Sequence, residues 1–421
     1  MNTTPLCIRR ATIARNTTPE ICDILVENGK ISAIQTEIPV QENWRIVNAD
    51  GLLLTYGLCD LHVHFREPGY EYKETIHSGS MAAAHGGYTT VCPMPNLNPA
   101  PDTPEHIALE TDIIQRTAVV DVLPYATLTL GRKGLTPVDM AALKPYAIAF
   151  SDDGSGIQED SVMQSLMQSA ARENVIIAAH CEDNRYLNGG YIHDGAYAQA
   201  HHHRGISSES EWRQIERDLK IAEATGCRYH VCHISTRESV NLIREYKHRG
   251  VRVTCETGPH YLVLCEDDLQ EDGRFKMNPP LRSASDQAAL IEGLLDGTID
   301  AIATDHAPHS QDEKNRGLEK SAMGIVGLET AFPVLFTHLV EKNILTLNQL
   351  IDLMSNNPRK IFRINGSLEV GQPADLALFN LQDEYTIHTE DFKSKGKATP
   401  FEGWQVKGRC VMTFKNGIQI Q

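Results

Sequence analysis

The chain lacks most of what would mark a membrane, secreted or nucleic-acid-binding protein. No apolar run approaches the roughly 18 residues of a membrane span, and the opening "MNTTPLCIRRATIARN" has no apolar stretch of signal-sequence length. Basic residues are in deficit. The 39 Lys and Arg against 55 Asp and Glu leave a formal net charge of -16, which argues against nucleic acid or an anionic membrane surface as partner. A small anionic ligand remains compatible, provided a local cation or metal sets the field of its site. The ten cysteines contain no C-x-x-C pair and no dense framework. Most sit in apolar runs such as "VIIAAHCE" and "YHVCHIS", where reduced core residues of a cytoplasmic protein are expected. Low-complexity tracts are absent, as is the Gly-rich phosphate turn that usually follows the first strand of a doubly wound sheet.

What is present is an ordinary globular composition, 41% hydrophobic and 22% charged over 421 residues. Short apolar runs alternate with longer amphipathic segments, the rhythm of βα units around a parallel sheet. The runs are "GLCDLHVHF", "TTVCPMP", "VLPYATLTL", "AIAFSDD", "VIIAAHCE", "RYHVCHIS", "VRVTCET" and "AIATDHAPH". Helices are expected at 73–86, 104–116, 159–172, 207–225, 236–249 and 285–296, with a shorter one at 137–145 and two more at 328–342 and 346–355. Ser207 or Ser208 with Gly226, and Thr236 with Gly250, supply capping signals. Eight such repeats predict an α/β fold, a (β/α)8 TIM-type barrel, over residues 56–365. The ends differ: "ILVENGKISAI" and "VMTFKNGIQI" each place Asn-Gly between β-rich runs, a type I′ hairpin signal. Residues 1–55 and 366–421 are therefore expected to form one small β-sandwich domain.

Chemistry-bearing residues gather at the ends of these runs. In "DLHVHFREPG" an extended strand would put His62, His64 and Arg66 on one face and Leu61, Val63 and Phe65 on the other. Asp153 follows the fourth run, His180 the fifth, His233 the sixth and Asp305 the eighth. In a barrel these ends share one face, so residues distant in sequence would converge. Four imidazoles and two carboxylates suit zinc, manganese or iron. Six ligands exceed what one open catalytic zinc takes, and fit two metals sharing a bridging group.

"DLHVHFREPG", "GGYTTVCPMPN", "FSDDG", "AAHCEDN", "YHVCHIST", "KMNPPLR" and "AIATDHAPH", with "PADLALF" and "KGKATPFEG" in the tail, resemble the successive motifs of the dihydroorotase family in the amidohydrolase superfamily. The likeness is to the bacterial type I branch, with Asp153 at the position where many amidohydrolases carry a carbamylated lysine. The resemblance implies two zinc ions per chain, one held by His62, His64 and Asp305, the other by His180 and His233, with Asp153 bridging. It implies Asp305 as general acid and base, and a substrate lying against His64, Arg66, Asn96, Asn278 and His309 and the backbone of Met323 and Gly324. The implied reaction is the reversible cyclisation of N-carbamoyl-L-aspartate to L-dihydroorotate in pyrimidine synthesis. A related ring opener, such as allantoinase or dihydropyrimidinase, would share the metal scaffold; a non-catalytic scaffold protein is the alternative from another class. A homodimer is the default assembly, and association with aspartate transcarbamoylase is a possible partnership.

Plainer roles are expected elsewhere. "HHHR" at 201–204 reads as a solvated loop, Asp152 as a structural hydrogen-bond acceptor, and Asp60 as a residue that orients a ligand. Cys181 and Cys232, each next to a histidine, should face the surrounding helices. The polar segment 310–324 is either a lid or a surface loop.

Overall fold

The computed structural model describes residues 4–14 and 19–421. The terminal segments fold around their Asn-Gly turns. Strands β1 (Leu6–Ile13), β2 (Glu20–Glu27), β3 (Lys30–Gln35), β4 (Arg45–Asn48) and β5 (Leu52–Tyr56) come first. Asn28 and Gly29 both take positive φ, 51° and 77°, as a type I′ turn between β2 and β3 requires.

The central segment holds short parallel strands: β6 (Leu58–Val63), β7 (Tyr88–Pro93), β8 (Asp121–Val122), β9 (Ile176–Ala179), the minor pair β10 (Ile192–His193) and β11 (Gly205–Ile206), then β12 (Arg228–Val231), β13 (Val253–Thr257) and β14 (Ala301–Ile302). Strands β6-β7-β8 form one sheet and β9-β12-β13-β14 another. Single-residue bridges Ala126↔Phe150 and Phe150↔Ile177 join them on one side, and Val63↔His306 on the other. The fourth expected strand, "AIAFSDD", is reduced to that bridge at Phe150. Its neighbour offers few donors: Pro124 has no N–H, and the register is carried by Ile148 N to Pro124 O (2.9 Å) and Ser151 N to Ala126 O (2.9 Å).

The amphipathic segments are helical close to their expected bounds: Ile76–His85, Pro104–Thr117, Asp160–Glu173, Glu209–Thr225, Arg237–His248 and Ala284–Leu295. Thr236 caps its helix through Ser239 N, and Gly226 ends the preceding helix in the left-handed region at φ 69°. Ser208 occupies an N-cap without a side-chain bond. The 137–145 helix shrinks to Met140–Leu143. The two last helices are interrupted by π-helical turns at Phe336–Val340 and Asp352–Asn356. No helix among the described residues is long and apolar enough to cross a membrane.

The chain returns to the first sheet through β15 (Leu376–Asn380), passes the small pair β16 (Tyr385–Thr386) and β17 (Gln405–Val406), and ends with β18 (Arg409–Lys415) and β19 (Ile418–Gln419). The two ends thus share one eight-stranded sheet, in the order β19-β18-β15-β5-β1-β2-β3, with β4 beside β1. Asn416 and Gly417, at φ 50° and 76°, close the second hairpin. Phe379 joins this sheet to the central segment. It is fully buried, stacks on Phe332 at 4.1 Å between centroids, and lies against Gly87, where an added Cβ would come within 2.5 Å of its ring. Phe379→Ala should therefore cost about 3–5 kcal/mol. Urea denaturation reads this directly, and a loss below about 1 kcal/mol would mean that the junction is held elsewhere.

Candidate active site

The site begins at β6. Its pairing with β7 shifts register twice, between Leu58 and Cys59 and between Asp60 and Val63, so strict alternation fails along it. Val63 and Phe65 pack in the large core with the helices, as expected. Leu61 does not: it belongs to a second cluster with Cys59, Cys92, Met94, Tyr125, Ile176, Ala178 and Cys232. Ile177 and Ala179 lie in the helix-side core and Ile176 and Ala178 in this cluster, so the cluster occupies the other face of the strands. Asp60 accepts from the backbone N–H of His62 (3.0 Å) and, through both oxygens, from that of Thr304 (3.2 Å), tying β6 to the segment that carries Asp305.

Cys232 corrects a second expectation. Cys181 does face a helix, with Sγ 3.2 Å from the Tyr229 hydroxyl, which itself donates to Asp218 (2.7 Å). Cys232 instead points to the inner face, where its thiol groups with His62 and Glu256. The reason is the left-handed backbone of His233, φ 33°. The turn at the strand end breaks the alternation, so that Cys232 keeps the inner face while His233 is also brought into the site. Asp305 (φ 46°) and Arg66 (φ 62°) sit in the same sparsely populated region. Non-glycine residues there are held by their surroundings and cluster at functional sites.

Around Asp153 the distances are short. Its Oδ1 lies 3.3 Å from His62 Nε2, 3.7 Å from His233 Nε2 and 4.0 Å from His180 Nδ1, and its Oδ2 lies 3.6 Å from His64 Nε2. Two groups with metal-ligand spacing, His62–His64–Asp153 and Asp153–His180–His233, therefore share one carboxylate. Asp305 Oδ1 completes the first side, 3.0 Å from His64 Nε2 and 3.5 Å from His62 Nε2. All six side chains are buried. Burial disfavours charge on His62 and Asp153 alike, but their mutual attraction outweighs it, raising the histidine well above and lowering the carboxyl well below ordinary values.

The donor set fits divalent cations. His62 Nε2, Asp153 Oδ1 and His233 Nδ1 are buried without a hydrogen-bond partner, an arrangement that costs about 1–3 kcal/mol per group unless something satisfies them. His62 Nδ1 meets Glu256 Oε1 at 3.2 Å, and Glu256 Oε2 meets His230 Nε2 at 3.1 Å. A carboxylate on Nδ1 fixes the tautomer and leaves Nε2 free as a ligand. Burial pushes the Glu256 carboxyl up, yet its two histidine partners hold it at about 2, so it stays ionised. Sequence reasoning passed over Glu256, although it lies at the end of "VRVTCET", the one late run to which no ligand was assigned.

A cavity of about 240 Å3 opens beside these groups. It is lined by His64, Asp153, His180, His233 and Asp305 and by every expected substrate contact: Arg66, Asn96, Asn278, His309, Met323 and Gly324. Only His62 lies behind it. Asn96 bridges His64 and Asp153, its Oδ1 2.7 Å from His64 Nδ1 and its Nδ2 2.8 Å from the Asp153 carbonyl. Asn278 Nδ2 donates to Glu182 (2.6 Å), a second residue that the sequence reading missed beside His180. Segment 310–324 forms two short helices, Gln311–Lys314 and Gly317–Lys320. Buried Lys314 donates to the carbonyls of Lys276 (3.0 Å), Ala322 (2.8 Å) and Gly324 (2.7 Å), so one ammonium joins the loop segments bearing Asn278 and Gly324. Asp152 accepts from the N–H groups of Leu128 (2.8 Å) and Thr129 (3.1 Å), the structural role expected for it. In "HHHR", His201 and His202 are exposed and His203 bonds Glu271 and Tyr191.

A family model described as dihydro-orotase-like matches residues 51–239. A dihydroorotase of Bacillus caldolyticus is 52% identical over 400 residues, covering 94% of each chain. The chain belongs to the dihydroorotase family. Another dihydroorotase, of Geobacillus kaustophilus, is 52% identical over 401 residues and 94% of each chain. Among solved structures, this family member superposes on the L-hydantoinase (dihydropyrimidinase) of Arthrobacter aurescens with a TM-score of 0.89 at 27% identity, over 99% of this chain and 96% of that one. The dihydropyrimidinase of Brevibacillus agri, at 22% identity and a TM-score of 0.86 over 99% and 95%, shares the fold. The chain is thus a cyclic amide hydrolase of mixed α/β fold, with groups of residues spaced so that they could hold a metal ion.

Glu256→Gln should weaken metal binding about 10- to 100-fold while leaving the fold intact, because the amide supports the His62 tautomer poorly. Competition against a chelator measures this, and unchanged affinity would remove Glu256 from the centre.

Proposed function

We propose that this chain is a dihydroorotase in activity, closing N-carbamoyl-L-aspartate to L-dihydroorotate and opening it again, as a step of pyrimidine synthesis. The observation that carries this reading is the placement of Arg66 and Asn96 in the same cavity as the converging histidines and carboxylates. A planar guanidinium binds a carboxylate through paired N–H groups, and a ring carboxylate distinguishes dihydroorotate from dihydrouracil or hydantoin. The 52% identity to proteins named dihydroorotase supports the same substrate.

We assign two zinc ions per chain: His62, His64 and Asp305 on one, His180 and His233 on the other, and Asp153 shared. When bound, the metals supply Lewis acidity that polarises the amide carbonyl and lowers the pKa of the attacking water. The proton is handled by the chain itself. In ring opening, Asp305 takes it from the water oxygen as that oxygen bonds to the amide carbon, then delivers it to the ring nitrogen as the C–N bond breaks. In ring closure the steps reverse: the ureido nitrogen gives its proton to Asp305 as it attacks the side-chain carboxyl carbon, and water leaves. Arg66, Asn96 and His309 hold the substrate's own carboxylate, while Asn278 and the backbone of Met323 and Gly324 hold the rest of the ring. The eight strand positions, joined by the bridges at Phe150 and His306, are read as a closed (β/α)8 barrel over residues 56–365. Residues 1–55 and 366–421 form its accompanying β domain.

A second reading is a hydantoinase-type ring opener, favoured by the TM-score of 0.89 to an L-hydantoinase. Ultraviolet-monitored ring opening by the zinc-replete protein, offering dihydroorotate beside dihydrouracil, hydantoin and allantoin, separates them. Dihydroorotate should be consumed fastest; preference for a ring without the carboxylate would overturn the assignment. Arg66→Met should lower kcat/KM for dihydroorotate by about 100-fold, about 2.7 kcal/mol, without loss of zinc, and unchanged kinetics would remove Arg66 as the anchor. Stripping the metal and restoring zinc should raise the thermal midpoint, as a ligand of the native state does; an unmoved midpoint would count against a native zinc site.

A further inference from the structure

His309 lines the cavity outside the set of expected metal ligands, its chemistry depends on where its proton sits, and its two partners decide that. Nε2 lies 2.8 Å from the carbonyl oxygen of Met323, and Nδ1 lies 3.1 Å from Lys73 Nζ. A carbonyl only accepts and a lysine ammonium only donates. The two contacts are compatible with one tautomer alone: the proton on Nε2, the lone pair on Nδ1.

Lys73 is not itself in the cavity wall. It is held beside His309 by Glu313 Oε1 at 2.8 Å, with the rings of Tyr70 and Tyr72 5.9 and 5.5 Å from its ammonium. Glu313 is fixed in turn by the Ser310 backbone N–H (3.0 Å) and hydroxyl (3.0 Å) at the start of helix Gln311–Lys314. Its Oε2 stands 3.7 Å from His309 Nδ1, beyond hydrogen-bond reach while Lys73 occupies that nitrogen. On the other side, Arg66 Nη2 lies 3.5 Å from His309 Nε2. Both are donors, so they do not satisfy each other; the His309 N–H already meets the Met323 carbonyl and reaches the corner of the cavity beside Arg66 only by sharing that proton. Burial first, then the positive charges of Arg66, Lys73 and Lys314, keep the imidazole well below its ordinary pKa and hence neutral.

We propose, on the reading of the site given above, that Lys73 is a positioning residue that locks His309 as its Nε2–H tautomer, so that its one N–H, shared between the Met323 carbonyl and the substrate carboxylate, is donated beside Arg66. Without Lys73, Glu313 becomes the charged neighbour of Nδ1 and draws the proton there. The lone pair then moves to Nε2 and faces both the Met323 carbonyl oxygen and the substrate's anionic oxygen, turning a donor into a repulsive contact.

The test uses zinc-loaded full-length protein with 15N-labelled histidine. The His309 ring signals, assigned by their loss in His309→Gln, should show a protonated Nε2 and a bare Nδ1. In Lys73→Met they should exchange roles, in Lys73→Arg they should not, and Lys73→Met combined with Glu313→Gln should relieve the exchange. Steady-state kinetics should show KM for dihydroorotate raised about 10-fold or more in Lys73→Met with kcat changed less than about 3-fold, and both restored by Lys73→Arg. Should Lys73→Met fail to fold, Lys73→Gln, whose amide can still donate to Nδ1 without charge, should hold the wild-type tautomer. An unchanged tautomer in Lys73→Met, or an exchanged one in Lys73→Gln, overturns the role of Lys73. Failure of the wild-type enzyme to turn over dihydroorotate overturns the substrate assignment instead, and the ring signals still decide whether Lys73 sets the proton.

Discussion

Everything at this site depends on one buried carboxylate. Asp153 has four imidazoles within 4.0 Å, drawn from three separate strand ends, and such a crowd is stable only if charge and hydrogen bonding are closed around it. Protein groups close most of the shell. Asn96 spans Asp153 and His64, Glu256 takes the far nitrogen of His62, and Asp60 fastens the backbone of His62 to that of Thr304. Two of the atoms left over, His62 Nε2 and Asp153 Oδ1, are what a metal centre would satisfy.

The strands are short because they serve the ends rather than the middle. Strand β14 has two residues and the fourth position is a single bridge, yet His64, Asp153, His180, His233 and Asp305 each lie one to three residues beyond the strand or bridge that precedes them, while His62 lies inside β6. Left-handed backbone at His233 and Asp305 makes that delivery possible, since a straight strand would have turned His233 towards the helices. The cost of those conformations is met by packing: the cluster containing Leu61, Cys232 and Phe362 fills the face opposite the helices.

The cavity wall around Arg66 and His309 is built differently, from loops pinned by charges. Lys314 gathers three carbonyls, Lys73 and Glu313 hold His309, and Arg66 Nε rests on the carbonyl of Pro308 at 3.3 Å. Fixing loop backbone with long charged side chains lets the cavity present both N–H and C=O groups without the regularity of a strand.

The sequence by itself determined the βα rhythm, the two Asn-Gly hairpins and the ligand-type residues at run ends, because each depends on local spacing and residue type. Five of the six run-end residues, all but His62, line one cavity, together with Arg66 and the substrate contacts that only the family resemblance implied. Only the tertiary structure decided which way Cys232 and Leu61 point, because bulges and positive φ override alternation and are not encoded in hydrophobic period. It alone brought Glu256, Lys73 and Glu313 into play. These residues act on a histidine 194, 236 and 4 positions away, through contacts of 3.2, 3.1 and 3.7 Å, and two of those partnerships join segments that no local pattern connects.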